Sequence, residues 1–99
     1  MSEWEFDWSP NFEKLYRKKD DSLKPKIREK LKTLSQGEPY KLGTIKKGLV
    51  IKDDFCKTRI YTIEIDKSNR IAYCIYSRNS DHIIRLLKVC DHKAVYGHD

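Results

Sequence analysis

Residues 58–90 read TRIYTIEIDKSNRIAYCIYSRNSDHIIRLLKVC, and the fold turns on this stretch. TRIYTIEI (58–65) is rich in β-branched and aromatic residues and reads as a strand; DKSN (66–69) reads as a turn and RIAYCIY (70–76) as the strand that returns from it. SRNSD (77–81) turns the chain again, and HIIRLLKVC (82–90) is a last strand. Alternation along the middle strand places Arg70, Ala72, Cys74 and Tyr76 on one face. Three consecutive strands with short connections form an antiparallel meander, which needs other elements to cover a face.

The cover lies upstream. EWEFDW (3–8) puts Trp4, Phe6 and Trp8 on one parity and Glu3, Glu5 and Asp7 on the other, the period of a strand with one buried face. Ser9 is then a candidate N-cap and Pro10 a first helical residue, with Phe12, Leu15 and Tyr16 on one face of a helix that runs to about Lys19. After the capping run DDS, Leu23, Ile27, Leu31 and Leu34 recur at helical spacing and leave Lys24, Lys26, Arg28, Lys30 and Lys32 for water. Pro25 falls in the first turn, where its missing N–H is tolerated. QGEP stops the helix, with Gly37 available for a left-handed cap. Residues 40–55 read as a loop with short extended pieces. The expected architecture is therefore α+β, in the order β-α-α-β-β-β, with two N-terminal helices packed on one face of an antiparallel sheet.

At 99 residues the chain suits one domain, residues 1–99, with a single thin core. Charged residues make up 36%, a polar composition, but six Tyr, two Trp and three Phe supply burial that disordered chains lack. No apolar run reaches membrane-spanning length and no basic-then-apolar leader opens the chain. Cys56, Cys74 and Cys90 are odd in number and lack CxxC spacing, so neither a disulfide framework nor a zinc ribbon is expected. These features fit a soluble protein of the reducing cytoplasm, with no membrane, metal or cofactor.

Net charge is +6, and residues 23–50 alone hold eight basic and two acidic groups. Such a block attracts phosphate backbones, or else is a solvated helix face. Lys41, Lys46, Lys47, Lys52, Arg59 and Lys93 are the candidate RNA-binding cations. The end of the chain, KVCDHKAVYGHD (88–99), passes from strand to Asp91, His92, Lys93 and Tyr96, side chains that can move or stabilise a proton. An Arg, a His and a Tyr converging on a basic groove could cleave RNA without metal: a base takes the 2′-hydroxyl proton, a cation holds the phosphate oxygens, and an acid protonates the leaving oxygen. Histidine serves either proton role near neutral pH. Each residue also has a plain structural reading, His92 as a surface residue, Tyr96 as packing and Arg70 as a turn residue.

The element order, the opening FDWSPNFEKL, the hairpin IDKSNRIAY and the close VCDHKAVYG together resemble the RelE/ParE superfamily of bacterial and archaeal toxins. RIAY is similar to the family's Arg-hydrophobic-hydrophobic-Tyr, and a basic residue precedes a Tyr by four positions near the end, here His92 and Tyr96. The resemblance implies a toxin of a toxin–antitoxin system, and in the RelE, YoeB and YafQ branch a metal-independent endoribonuclease that cleaves mRNA on the ribosome until a cognate antitoxin wraps it. It would make Arg70 the phosphate-stabilising arginine, His92 the general acid or base and Tyr96 the residue that orients the target nucleotide. Positions that are basic in RelE or YoeB fall on Ile63, Glu64 and Ile65, and Glu64 is a candidate base. Two alternatives share the fold: a ParE-like gyrase-inhibiting toxin, and a non-catalytic RNA- or protein-binding module.

Overall fold

The computed structural model describes residues 4–45 and 59–91, the side chains of Cys90 and Asp91 excepted. The elements are β1 (Glu5–Trp8), α1 (Pro10–Arg17), α2 (Leu23–Gln36), α3 (Pro39–Leu42), β2 (Thr44–Ile45), β3 (Tyr61–Glu64), β4 (Asn69–Arg78) and β5 (Asp81–Asp91). They form a five-stranded sheet in the order β1-β5-β4-β3-β2. The meander β3-β4-β5 is antiparallel as its pattern predicts, and β2 joins it antiparallel. The first strand, whose partner the sequence left open, takes the edge of this antiparallel sheet: β1 pairs parallel with β5, Glu5 opposite Ile83 through Trp8 opposite Leu86. At the stretch read as loop, β2 is one of the short extended pieces expected there, whereas the short helix α3 was not expected.

Each helix starts for a local reason. Ser9 caps α1 by accepting the Phe12 N–H at 3.1 Å, and Pro10 occupies the first turn. Before α2 the capping oxygen comes from Asp20, which accepts from Leu23 N at 2.9 Å and from the Ser22 hydroxyl at 2.8 Å; Ser22 holds the N-cap position without a capping bond of its own. Gly37 ends α2 at φ −108°, outside the left-handed region, which corrects the expected cap. Its lack of a side chain instead leaves room for Leu42, whose Cδ1 would lie 2.7 Å from an added Cβ.

The stripe Leu23, Ile27, Leu31 and Leu34 of α2 and Phe12 of α1 are buried against Tyr61, Ile63, Ile71, Tyr73, Ile84, Leu86 and Val89. Each such side chain contributes about 1.5–3 kcal/mol when fully buried. Odd residues of β4 thus face the helices, while Ala72 and Cys74 join Ile60 and Leu87 in a second cluster on the other face. HIIRLLKVC alternates poorly because β5 carries a bulge. Ala72 pairs with Lys88 but Tyr73 with Leu86, so Leu87 is the extra residue. The bulge carbonyl is satisfied from α1, where Ser9 Oγ and Asn11 Nδ2 donate to Leu87 O at 3.3 and 3.2 Å.

The β4–β5 turn consists of Asn79 and Ser80 alone, both at positive φ, 51° and 73°. That is the hand required of a two-residue hairpin turn. Cys74, 2% exposed, is disulfide-bonded, contrary to the expectation drawn from the odd cysteine count. A bonded pair with one thiol left over satisfies such a count, and the second sulfur lies outside the described side chains. Among the described residues no helix is long and apolar enough to cross a membrane.

Candidate functional site

Glu64 ends β3 and stands directly opposite Arg70, the second residue of β4. The turn between them is held by Asp66, whose Oδ1 accepts from the N–H groups of Ser68 and Asn69 at 2.9 Å each and from Asn69 Nδ2 at 3.0 Å. The Ser68 N–H foremost holds the Asp66 carboxyl below its ordinary pKa; slight burial opposes this, and both Asn69 groups and the nearby Lys26 charge support it. Ile65 N donates to Asn69 O at 2.9 Å, so the next pair, Glu64 and Arg70, lies in a non-hydrogen-bonded position. Such positions bring side chains closest, with Cα atoms about 4.5 Å apart. On the other flank of Arg70, β5 places Cys90 opposite Arg70 and Asp91 opposite Asn69. The strand that leads to residue 92 therefore ends beside the start of β4. His92, Lys93 and Tyr96 themselves lie outside the described residues, as do Lys46, Lys47 and Lys52.

Of the remaining candidates, Arg59 and Lys41 do not join Arg70. Arg59 is exposed five positions before Glu64, roughly 17 Å along an extended chain. Lys41 is exposed on α3 and pairs with Glu38 at 3.2 Å, a solvent-facing contact of little energetic weight. The structure instead adds residues that the sequence reading left on the surface. An open groove of about 640 Å³ runs beside the Glu64–Arg70 pair, and its lining includes Lys30 and Thr33 of α2, Thr44 of β2, and Lys67 of the β3–β4 turn. Lys30 was legible only as one of five lysines and arginines on the outer side of α2. Which of them faces the β3 edge depends on how α2 docks.

A second polar group lies toward the β1 edge. Asp7 Oδ2 accepts from Arg85 Nη1 and from the Tyr76 hydroxyl, each at 2.7 Å, so one carboxylate links β1, β5 and β4. Burial pulls the Asp7 pKa up, but the hydrogen bonds from Tyr76 and Arg85 and the charges of Arg85 and Arg78 outweigh it and hold the carboxyl below its ordinary value. Burial and the Asp7 contact push the Tyr76 phenol up, so both groups keep the protonation the bond requires. This cluster stitches the sheet. The sequence signal for it was Arg85 set within an apolar run, a charge that needs an acid partner.

No protein-family model and no curated protein matches the sequence. Solved structures do match. A YoeB/ParE toxin from Agrobacterium tumefaciens superposes with a TM-score of 0.60 at 15% identity, over 89% of this chain and 98% of its own. The YoeB dimer from Staphylococcus aureus gives a TM-score of 0.56 at 22% identity, over 90% of this chain and 95% of its own. At these identities the fold is what is shared, and the fold is that of the YoeB/ParE toxins.

Proposed function

We propose that residues 1–99 form the toxin of a toxin–antitoxin system of the RelE/ParE kind, a cytoplasmic endoribonuclease that cleaves mRNA on the ribosome and is silenced by a cognate antitoxin. The observation that carries this reading is the Glu64–Arg70 cross-strand pair, set on a YoeB/ParE-type fold at the end of the sheet where β5 hands over to His92. In the reaction Glu64 removes the proton of a ribose 2′-hydroxyl, and the freed oxygen attacks the adjacent phosphorus. Arg70 balances the charge that builds on the non-bridging oxygens. The bond to the 5′-oxygen breaks, His92 supplies its proton, and the products are a 2′,3′-cyclic phosphate and a 5′-hydroxyl end. Tyr96 places the target base. The four side chains supply base, cation, acid and support without a metal ion.

The test is single-turnover cleavage of mRNA on programmed ribosomes. Losing a positioned acid or base costs about 10²–10⁴ in rate, so Glu64→Gln and His92→Ala should each fall by that order with ribosome binding little changed. Arg70→Ala should lose about 10²–10³, the cost of removing a donor aimed at developing charge. If all three variants cleave at the parent rate the catalytic assignment is wrong. If the parent does not cleave but expression arrests growth and DNA gyrase is inhibited, the gyrase-directed reading replaces it. Binding without either activity would make the chain an RNA- or protein-binding module.

A further inference from the structure

The groove beside Glu64 and Arg70 is built from parts that the chemistry above does not use. Lys30 comes from the middle of α2 and Lys67 from the β3–β4 turn, and they line the same groove as Arg70 from β4. Three cations from three different parts of the chain thus border one open channel of about 640 Å³. Two carboxylates, Glu64 and Asp66, also line it, so the three cations leave a formal excess of one positive charge, and Asp66 has its Oδ1 turned to three N–H donors of its own turn. The remaining polar side chains of the lining are Thr33, Thr44 and Thr62, the last with its hydroxyl buried away from solvent, and among the described residues no aromatic ring lines the groove. Binding of single-stranded RNA through its bases needs stacking surfaces. A described lining of Lys30, Lys67 and Arg70 with the hydroxyls of Thr33 and Thr44 suits the sugar-phosphate backbone.

We infer that Lys30 and Lys67 are substrate-binding residues that hold phosphates of a single-stranded RNA on its way to Glu64 and Arg70, and that they do so without reading its bases. The inference rests on the ribonuclease reading for its direction, but its binding part stands on the groove alone. Each phosphate neutralised on a single strand contributes about 0.7 to the slope of log affinity against log salt. At 0.1 M salt that corresponds to about a fivefold change in affinity per contact.

The experiment measures binding of fluorescent single-stranded RNA oligomers, poly-U and a mixed sequence, to the full chain across a salt series, by anisotropy. It is paired with steady-state cleavage on ribosomes. Lys30→Gln and Lys67→Gln should each weaken binding about fivefold at 0.1 M salt and lower the salt slope by about 0.7, equally for both RNAs. Both should raise KM and leave kcat unchanged. Lys14→Gln, on α1 away from the groove, removes the same charge and should change neither slope nor KM beyond experimental scatter. If the groove variants match Lys14→Gln while the parent cleaves, the backbone track is refuted and the ribonuclease reading survives. If the parent does not cleave but the groove variants lose affinity and slope as stated, the track stands and the catalytic reading fails. A loss confined to one RNA would overturn base-independent recognition, and loss of binding to a co-purified protein with RNA binding unchanged would assign the groove to a protein partner instead.

Discussion

Gly43→Ala should destabilise the protein through a single contact. Gly43 follows α3 at φ −94° and ψ 166°, extended backbone that alanine adopts freely, so conformation does not require glycine here. Space does: an added Cβ would overlap the Tyr73 hydroxyl and lie 2.9 Å from Tyr73 Cζ and 3.1 Å from Thr62 O. Tyr73 cannot step aside. It is fully buried, stacks on Tyr61 at 5.5 Å with 13° between the rings, and donates its hydroxyl proton to Pro39 O at 2.7 Å. Burial, with the Tyr61 ring beside it, pushes its pKa far up, so the phenol stays a donor at any ordinary pH. Overpacking costs about 1–3 kcal/mol, and a displaced Tyr73 leaves the Pro39 carbonyl without its partner, a further cost of about 1–3 kcal/mol. Reduced freedom of the unfolded chain returns about 0.4–1 kcal/mol. The expected net loss is about 2–4 kcal/mol, roughly 10–20 °C in Tm for a domain of this size. Urea unfolding of Gly43→Ala, Tyr73→Phe and the double variant measures it. The Gly43→Ala cost should shrink by about 1 kcal/mol in the Tyr73→Phe background, where the hydroxyl is gone but Cζ remains. A Gly43→Ala change within about 0.5 kcal/mol of the parent, on the order of an ordinary surface substitution, would refute the account.

Asp7→Asn should cost about 2 kcal/mol near neutral pH, below the roughly 3–5 kcal/mol typical of breaking a buried pair, because the Asp7 side chain keeps 30% of its exposure. Since the folded pKa of Asp7 lies below its ordinary 3.8, the stability it adds is complete above that value and lost as pH falls through the lower one; the variant's acid-unfolding curve should be flatter in that window. Ser80→Gly should stabilise the protein by about 0.5–1 kcal/mol in thermal unfolding, because Ser80 sits at φ 73°, where only glycine escapes steric cost.

The meander was legible because its signal is local. Ile71 and Tyr73 alternate with Arg70, Ala72 and Cys74, and that alternation specified both faces of β4 before any contact was known. The amphipathic stripe of α2 was legible on the same grounds. α3 was not: four residues long, it carries no period, and a tertiary contact, Pro39 O to the Tyr73 hydroxyl, ties it to β4; β2, two residues long, was legible only as a short extended piece, its place set by pairing with β3. The parallel placement of β1 was equally hidden, since four residues show which side is apolar but not which strand they will meet. At the candidate site, Arg70 and Glu64 were candidates from the chain alone, but their direct opposition depends on the hairpin register. Nothing in the sequence sets Lys30 apart from the other cations of α2, or Lys67 from an ordinary turn residue, because a groove is made by docking.

The parallel seam between β1 and β5 sets an order of events in folding. Asp7 and Arg85, in register across it, are 78 residues apart in the chain. Closing a loop of that length costs about 4 kcal/mol of chain entropy, whereas the two-residue turn at Asn79 and Ser80 brings β4 and β5 together almost at once. The hairpin is therefore the natural nucleus and β1 the last strand to dock. During synthesis β1 must wait, its unpaired edge exposed, until β5 has emerged. Until Arg85 has emerged Asp7 lacks its ion-pair partner, so a chain stopped short of β5 leaves the ribosome with neither its sheet edge nor its ion pair complete.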